Sequence, residues 1–183
     1  GNVNIITLNT EEPTQITQES FSYIPHWSPN GDLIVYGHQA SSGATTEQQE
    51  TIRVISPDGG EPEILHTVTG DLEGLVWSRD GDYIAFGLDN GVEGAIYIIE
   101  VATGEVTQLT DETAYFATQP SFSPDGQWIA FQYRTLDSAS EESALCNATT
   151  DSIYIIDING ENLQPVTREG ACYPDWRPEV RGE

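Results

Sequence analysis

Lysine is absent from this 183-residue chain: its six basic residues are all arginine, against 30 Asp and Glu, for a formal net charge of −24. Such a field repels polyanions, which excludes nucleic acid and an anionic membrane surface as partners, and it attracts cations and cationic surfaces. A solvated, aggregation-resistant surface suited to a salty or extracellular setting explains the acidity; specific cation binding, with Ca²⁺ as the candidate, is the other reading. No apolar run approaches the roughly 20 residues of a membrane helix, and no basic start followed by an apolar stretch marks a signal peptide. A secreted protein would therefore be present in its mature form. Cysteine is scarce: Cys146 and Cys172 are too few for a disulfide framework and lack metal-ligand spacing, but they suffice for one bridge. The chain has no G-x-S-x-G, no H-E-x-x-H, no G-x-x-x-x-G-K and no C-x-x-C, so the sequence points to no enzyme and no cofactor.

What is present is repetition. Phe122 to Phe131 (FSPDGQWIAF) matches Trp27 to Tyr36 (WSPNGDLIVY) and Trp77 to Phe86 (WSRDGDYIAF). The copies stand 50 and 45 residues apart, long enough for one unit of several strands each. A fourth copy begins at Trp176 and departs at once, reading Arg177-Pro178-Glu179 with neither the D-G turn nor the apolar strand that follows it.

Within each copy, S-P-[DN]-G encodes a reversal between two apolar runs: proline fixes φ at the second turn position and glycine supplies the positive φ that ends it. Asn159-Gly160 adds a strong hairpin signal. Read in order, the first cycle places strands at Tyr23–Trp27, Leu33–Tyr36, Ile52–Ile55 and Glu63–His66, and two further cycles repeat the plan. Three cycles of four short antiparallel strands at blade spacing predict an all-β fold, a β-propeller, whereas a sandwich has no reason to repeat one turn at this period.

The pattern [WF]-S-P-[DN]-G, then I-A-F, I-Y-I-I-[DE] and a closing Q-L-T, resembles the TolB-like propeller repeat, also called the PD40 or WD40-like repeat. The resemblance covers nearly the whole chain, with 39–50 and 135–151 as the main insertions and Arg79 in place of the motif proline. It implies a propeller, a secreted or periplasmic address, and protein or ligand binding on one end face, with no activity of its own. Similar repeats also cover the catalytic domain of prolyl-oligopeptidase-like enzymes.

With the strands of a blade lettered A to D from the axis outward, the chain holds C and D, three full blades, and a final A. The expected single domain has a split blade, 1–17 with 172–177, and blades at about 22–67, 73–110 and 118–168. The split blade lacks its B strand. Either a shortened contact closes the ring, or a strand from another chain fills the slot, or the sequence is a fragment of a longer propeller. The uncharged, proline-free run Val3, Asn4, Ile5, Ile6, Thr7 and Leu8 is the candidate assembly strand, because nothing in it opposes edge pairing.

Trp27, Trp77, Phe122 and Trp176 recur at one position and are expected to pack between blades. Asp80 and Asp125 are expected to bond their own turns. His26, His38 and His66 fall on different strands and make no convergent metal site. B-to-C and D-to-A loops share one end of a blade, which predicts a Cys146–Cys172 disulfide, and the sequon Asn147-Ala148-Thr149 beside it is a glycosylation candidate. Three function classes follow: a non-enzymatic secreted or cell-surface interaction scaffold binding protein or glycan, a self-assembling subunit of an extracellular oligomer or filament, and, weakest, the accessory propeller of a larger hydrolase.

Overall fold

In each copy the turn closes through the same set of bonds. The buried hydroxyls of Ser28, Ser78 and Ser123 accept the N–H of the residue five positions on, Leu33, Tyr83 and Trp128, each at 2.9 Å. Each serine N–H in turn donates to that same residue's carbonyl, and Gly31, Gly81 and Gly126 donate back to the serine carbonyls at 3.0, 3.1 and 2.9 Å. These glycines sit at φ of 78°, 84° and 69°, where a Cβ is penalised. Arg79 leaves the turn closed in the same way, and its guanidinium reaches the Pro124 carbonyl at 3.5 Å.

The computed structural model describes residues 1–8, 12–39, 49–90, 94–111, 115–135, 151–168 and 170–177. Strands β1 (Asn4–Ile5) and β2 (Thr14–Gln15) form a two-stranded sheet. β3 (Ser22–Trp27), β4 (Ile34–Gln39), β5 (Gln49–Ile55) and β6 (Glu63–Thr69) make the first blade. β7 (Asp71–Trp77), β8 (Tyr83–Asp89), β9 (Gly94–Glu100) and β10 (Val106–Gln108) make the second, and β11 (Tyr115–Phe122), β12 (Trp128–Thr135), β13 (Asp151–Asp157) and β14 (Gln164–Pro165) the third. All pairings are antiparallel between sequence neighbours. The described residues contain no helix, so the class is all-β, built of four-stranded blades. The second blade starts at Asp71, before the expected 73, because Gly70 alone links it to β6; at φ 122° it passes so close to Asp89 that a Cβ would lie 2.6 Å from its carbonyl oxygen.

β1–β2 reproduces the outer half of a blade. The N–H of Val3, Ile96 and Ile153 each donates to a threonine hydroxyl, Thr17, Thr110 and Thr167, at 2.9 Å. Ile16, Leu109 and Val166 donate to the carbonyls of those same three residues. Strand β1 is shorter than the run from Val3 to Leu8, spanning only Asn4–Ile5.

Alternation gives each sheet two faces, and neighbouring sheets bury the faces they share. The face of the first blade carrying Val35, Ile52 and Val54 packs on Leu75, Trp77 and Phe86 of the second. Ile96, Ile98 and Leu109 of the second meet Phe122, Phe131 and Ile156 of the third, and Val3 and Ile16 meet Ile34, Tyr36 and Ile55 of the first. Each fully buried side chain of this kind contributes about 1.5–3 kcal/mol. Every innermost strand is broken by a bulge, with a positive-φ residue three places before the repeated aromatic: Ile24, Gly74 and Gln119 at 43°, 81° and 54°. Tyr173, at 53°, holds that place before Trp176, although 171–177 lie in no strand.

Candidate functional site

The interfaces between blades concentrate the polar side chains, and most of these fasten one blade to the next. The Trp77 indole of the second blade donates to the His26 carbonyl of the first at 3.2 Å, and Trp176 donates to the Ser121 carbonyl of the third at 2.9 Å. Each acceptor is the residue just before the repeated aromatic of the preceding blade. Phe122 packs at the same position without a donor, and Trp27 is left half exposed.

Two carboxylates that the sequence did not single out are buried at matching places at the start of the third strand. Glu50 accepts the Tyr23 hydroxyl and, at 3.1 Å, the Leu72 N–H of the next blade. Burial, followed by the bond to Glu50, pushes the Tyr23 phenol far above its ordinary range. Asp151 accepts a forked pair from Arg134, Nε at 2.6 Å and Nη2 at 2.9 Å, and Gln132 Nε2 at 2.8 Å; its carbonyl takes the Ala171 N–H at 3.3 Å. The signal for these carboxylates is register, since each faces the end of the second strand: Gln39, the last residue of β4, or Arg134, the last but one of β12. Glu73 accepts Gln119 Nε2 at 3.0 Å across the second interface. Burial raises its carboxyl above the usual range, Asp89, Asp71 and Glu50 add to that, and Gln119 opposes it.

Glu19, on the link into the first blade, binds the Arg53 guanidinium and lies 3.1 Å from His38 Nε2. His38 is buried and its Nδ1 has no partner among the described residues. Burial and Arg53 lower its pKa, against the pull of Glu19. His26 is exposed and His66 half-buried on another strand. Asp80 Oδ1 accepts Ser78 Oγ at 2.6 Å and the Asp82 N–H at 3.1 Å; Asp125 Oδ1 does the same with Ser123 and Gln127, at 2.5 and 3.1 Å. These bonds, the serine hydroxyl first, lower both carboxyls. Among the described residues no three His, Cys, Asp or Glu side chains converge as metal ligands.

Val3 is buried against the first blade, Asn4 and Ile5 form β1, and Ile6, Thr7 and Leu8 are exposed. Cys172 is half-buried, and no free cysteine occurs among the described residues. Cys146 and Asn147 lie outside the described residues.

No family model matches the chain. The chain is 37% identical over 83 residues to the Tol-Pal system protein TolB of Francisella tularensis subsp. mediasiatica, covering 45% of this chain and 19% of that protein. It is 31% identical over 107 residues to the "Uncharacterized peptidase YuxL" of Bacillus subtilis, covering 58% and 14%. It thus spans under a quarter of either relative. A TolB structure from Agrobacterium tumefaciens superposes with a TM-score of 0.73 at 22% identity, over 96% of this chain and 61% of that one. Repeated turn, bulge and indole contact, with the TolB likeness in sequence and fold, make this chain similar to the TolB-like β-propeller repeats, and its fold is that of propeller blades.

Proposed function

We propose that this chain is a non-enzymatic interaction scaffold working outside the cytoplasm, in the periplasm, at the cell surface or in the medium, and that it holds a protein or glycan partner on one propeller end. The observation that carries this reading is the division of labour within the repeat. The recurring serines, aromatics and turn carboxylates are occupied in closing turns and joining blades, while the links between second and third strands, 40–48, 90–93 and 136–150, differ in length. Loops on a rigid scaffold are where recognition is placed. The test replaces 136–150 with the short 90–93 link and measures binding to extracellular proteins and a glycan array. Loss of a specific partner with unchanged circular dichroism is expected; unchanged binding, or turnover of peptidyl-amide substrates, overturns the reading.

The exposed apolar residues Ile6 and Leu8 beside the short strand β1 favour a second reading, a self-assembling subunit of an extracellular oligomer or filament. The similarity to YuxL favours a third, the accessory propeller of a peptidase. The extracellular address has its own test. Intact and peptide masses of native protein are expected to show Cys146 joined to Cys172, and a glycan on Asn147 where the source organism glycosylates secreted proteins. Closing that 26-residue loop would stabilise the fold by roughly 3 kcal/mol in the chain-entropy description. Two free thiols would remove the support for an oxidising compartment.

A further inference from the structure

The interfaces inside the chain define what a covered blade looks like, and two faces of the molecule lack that cover. Matching the threonine-bonded residues aligns Ile6 with Ile55, Ile99 and Ile156. Those three are exposed to 2% or less beneath the preceding blade, whereas Ile6 is 69% exposed. Trp27 is 47% exposed against 6% for Trp77 and 9% for Phe122, and its indole N–H makes no hydrogen bond among the described residues. A groove of about 140 Å³ runs between Ile6 and Trp27. At the opposite end of the arc, Val166 is 58% exposed, although its counterparts Ile16 and Leu109 are 3% and 6% exposed under the blade that follows them.

The two bare faces are the two halves of the contact that the chain makes internally. Ile16 packs with Ile55, and Leu109 packs with Ile156; the corresponding unmade pair is Val166 with Ile6. An indole reaches the carbonyl just before the preceding blade's aromatic twice within the chain; the corresponding unmade bond is Trp27 Nε1 to the Asp175 carbonyl. Residues 171–176 are ready to receive it. They keep three marks of an innermost strand: the Ala171 N–H bonded to the Asp151 backbone carbonyl, at the place where Leu72 N–H meets the Glu50 carboxylate, the left-handed Tyr173, and the Trp176 indole on the Ser121 carbonyl.

We propose that a second copy of this chain supplies the cover, its Val166 face and Asp175 carbonyl seating on the first copy's Ile6 and Trp27. This rests on the assembly reading above. Among the described residues neither face covers the other, since both are bare at once. Two copies joined head to tail would supply about eight blade positions, within the four to eight that propeller rings hold. With −24 on each copy, association is expected to strengthen with salt.

The experiment combines sedimentation of the full chain at about 0.15 M and about 1 M NaCl, between which the Debye length falls from about 8 Å to about 3 Å, with cross-linking. Benzophenone-alanine is placed at position 6 in a mixture of ¹⁴N and ¹⁵N protein. Expected are oligomers and cross-links joining light to heavy chains at 163–167. Ile6→Asp, on an exposed site that leaves the monomer folded, is expected to weaken association at least tenfold, and Trp27→Phe about fivefold, the worth of one neutral hydrogen bond. A monomer at every salt and concentration overturns the assembly reading and this proposal together. Oligomers indifferent to Ile6→Asp, or cross-links elsewhere, overturn the junction alone. Cross-links confined to one isotope assign the cover to the same polypeptide and likewise overturn it.

Discussion

Ser28, Ser78 and Ser123 each hold a backbone N–H that no strand partner reaches, and being buried they cannot leave that task to water. Ser78→Ala strands the Tyr83 N–H in the interior, so denaturant titration is expected to show a loss of about 1–3 kcal/mol. The proline and glycine of the motif declared their roles in the sequence, because φ preferences act locally. The serine did not, since a bond to the residue five places on exists only once the chain has reversed. His38 was equally mute: its burial and its two charged neighbours come from three separate segments. Its pKa is lower folded than unfolded, because burial and Arg53 outweigh Glu19. The fold therefore binds this proton less well than the unfolded chain does. The associated stability is present above the unfolded value of about 6.5 and is lost as pH falls through the folded one. Leu88 stands at the matching place in the second blade, so His38→Leu is expected to fold and to flatten the decline in stability between pH 7 and 5, measured by urea midpoint. An unchanged slope would assign the decline to other groups.

At the level of the element, strands and turns were legible because a two-residue alternation and a fixed turn sequence recur three times. The bulge was hidden, since Ile24, Gly74, Gln119 and Tyr173 share a backbone state and no side-chain property. The lattice of the sheet imposes that state, and a β-branched residue such as Ile24 adopts it only under such constraint. The repeated aromatic was legible as packing, while its indole bond was not, because a phenylalanine serves at one of the positions. That natural variation separates the two contributions. Trp77→Phe keeps a ring in the interface and leaves the His26 carbonyl without its donor, an expected loss of about 1–2 kcal/mol. Trp77→Ala also opens a cavity between two blades and is expected to cost about 3–5 kcal/mol by thermal or chemical unfolding. Equal losses for the two would show that the bond, and not the packing, holds the interface.

Across the whole molecule, ring order came straight from the period, while the acidic residues that matter were lost among 30 candidates until register separated Glu50 and Asp151 from the surface. Most staples between blades share one direction: Leu72 N–H, Ala171 N–H and the indoles of Trp77 and Trp176 all reach from a later blade back to an earlier one, and the exposed Arg79, reaching forward to the Pro124 carbonyl, is the exception. A blade leaving the ribosome therefore finds most of its hydrogen-bond acceptors already folded ahead of it. The molecule can be written forward one blade at a time, so a duplicated or deleted repeat meets the same docking surface as the repeat it displaces. The number of blades in such a chain is then open to change by whole units, and natural variation in length should come in steps of 45 to 50 residues.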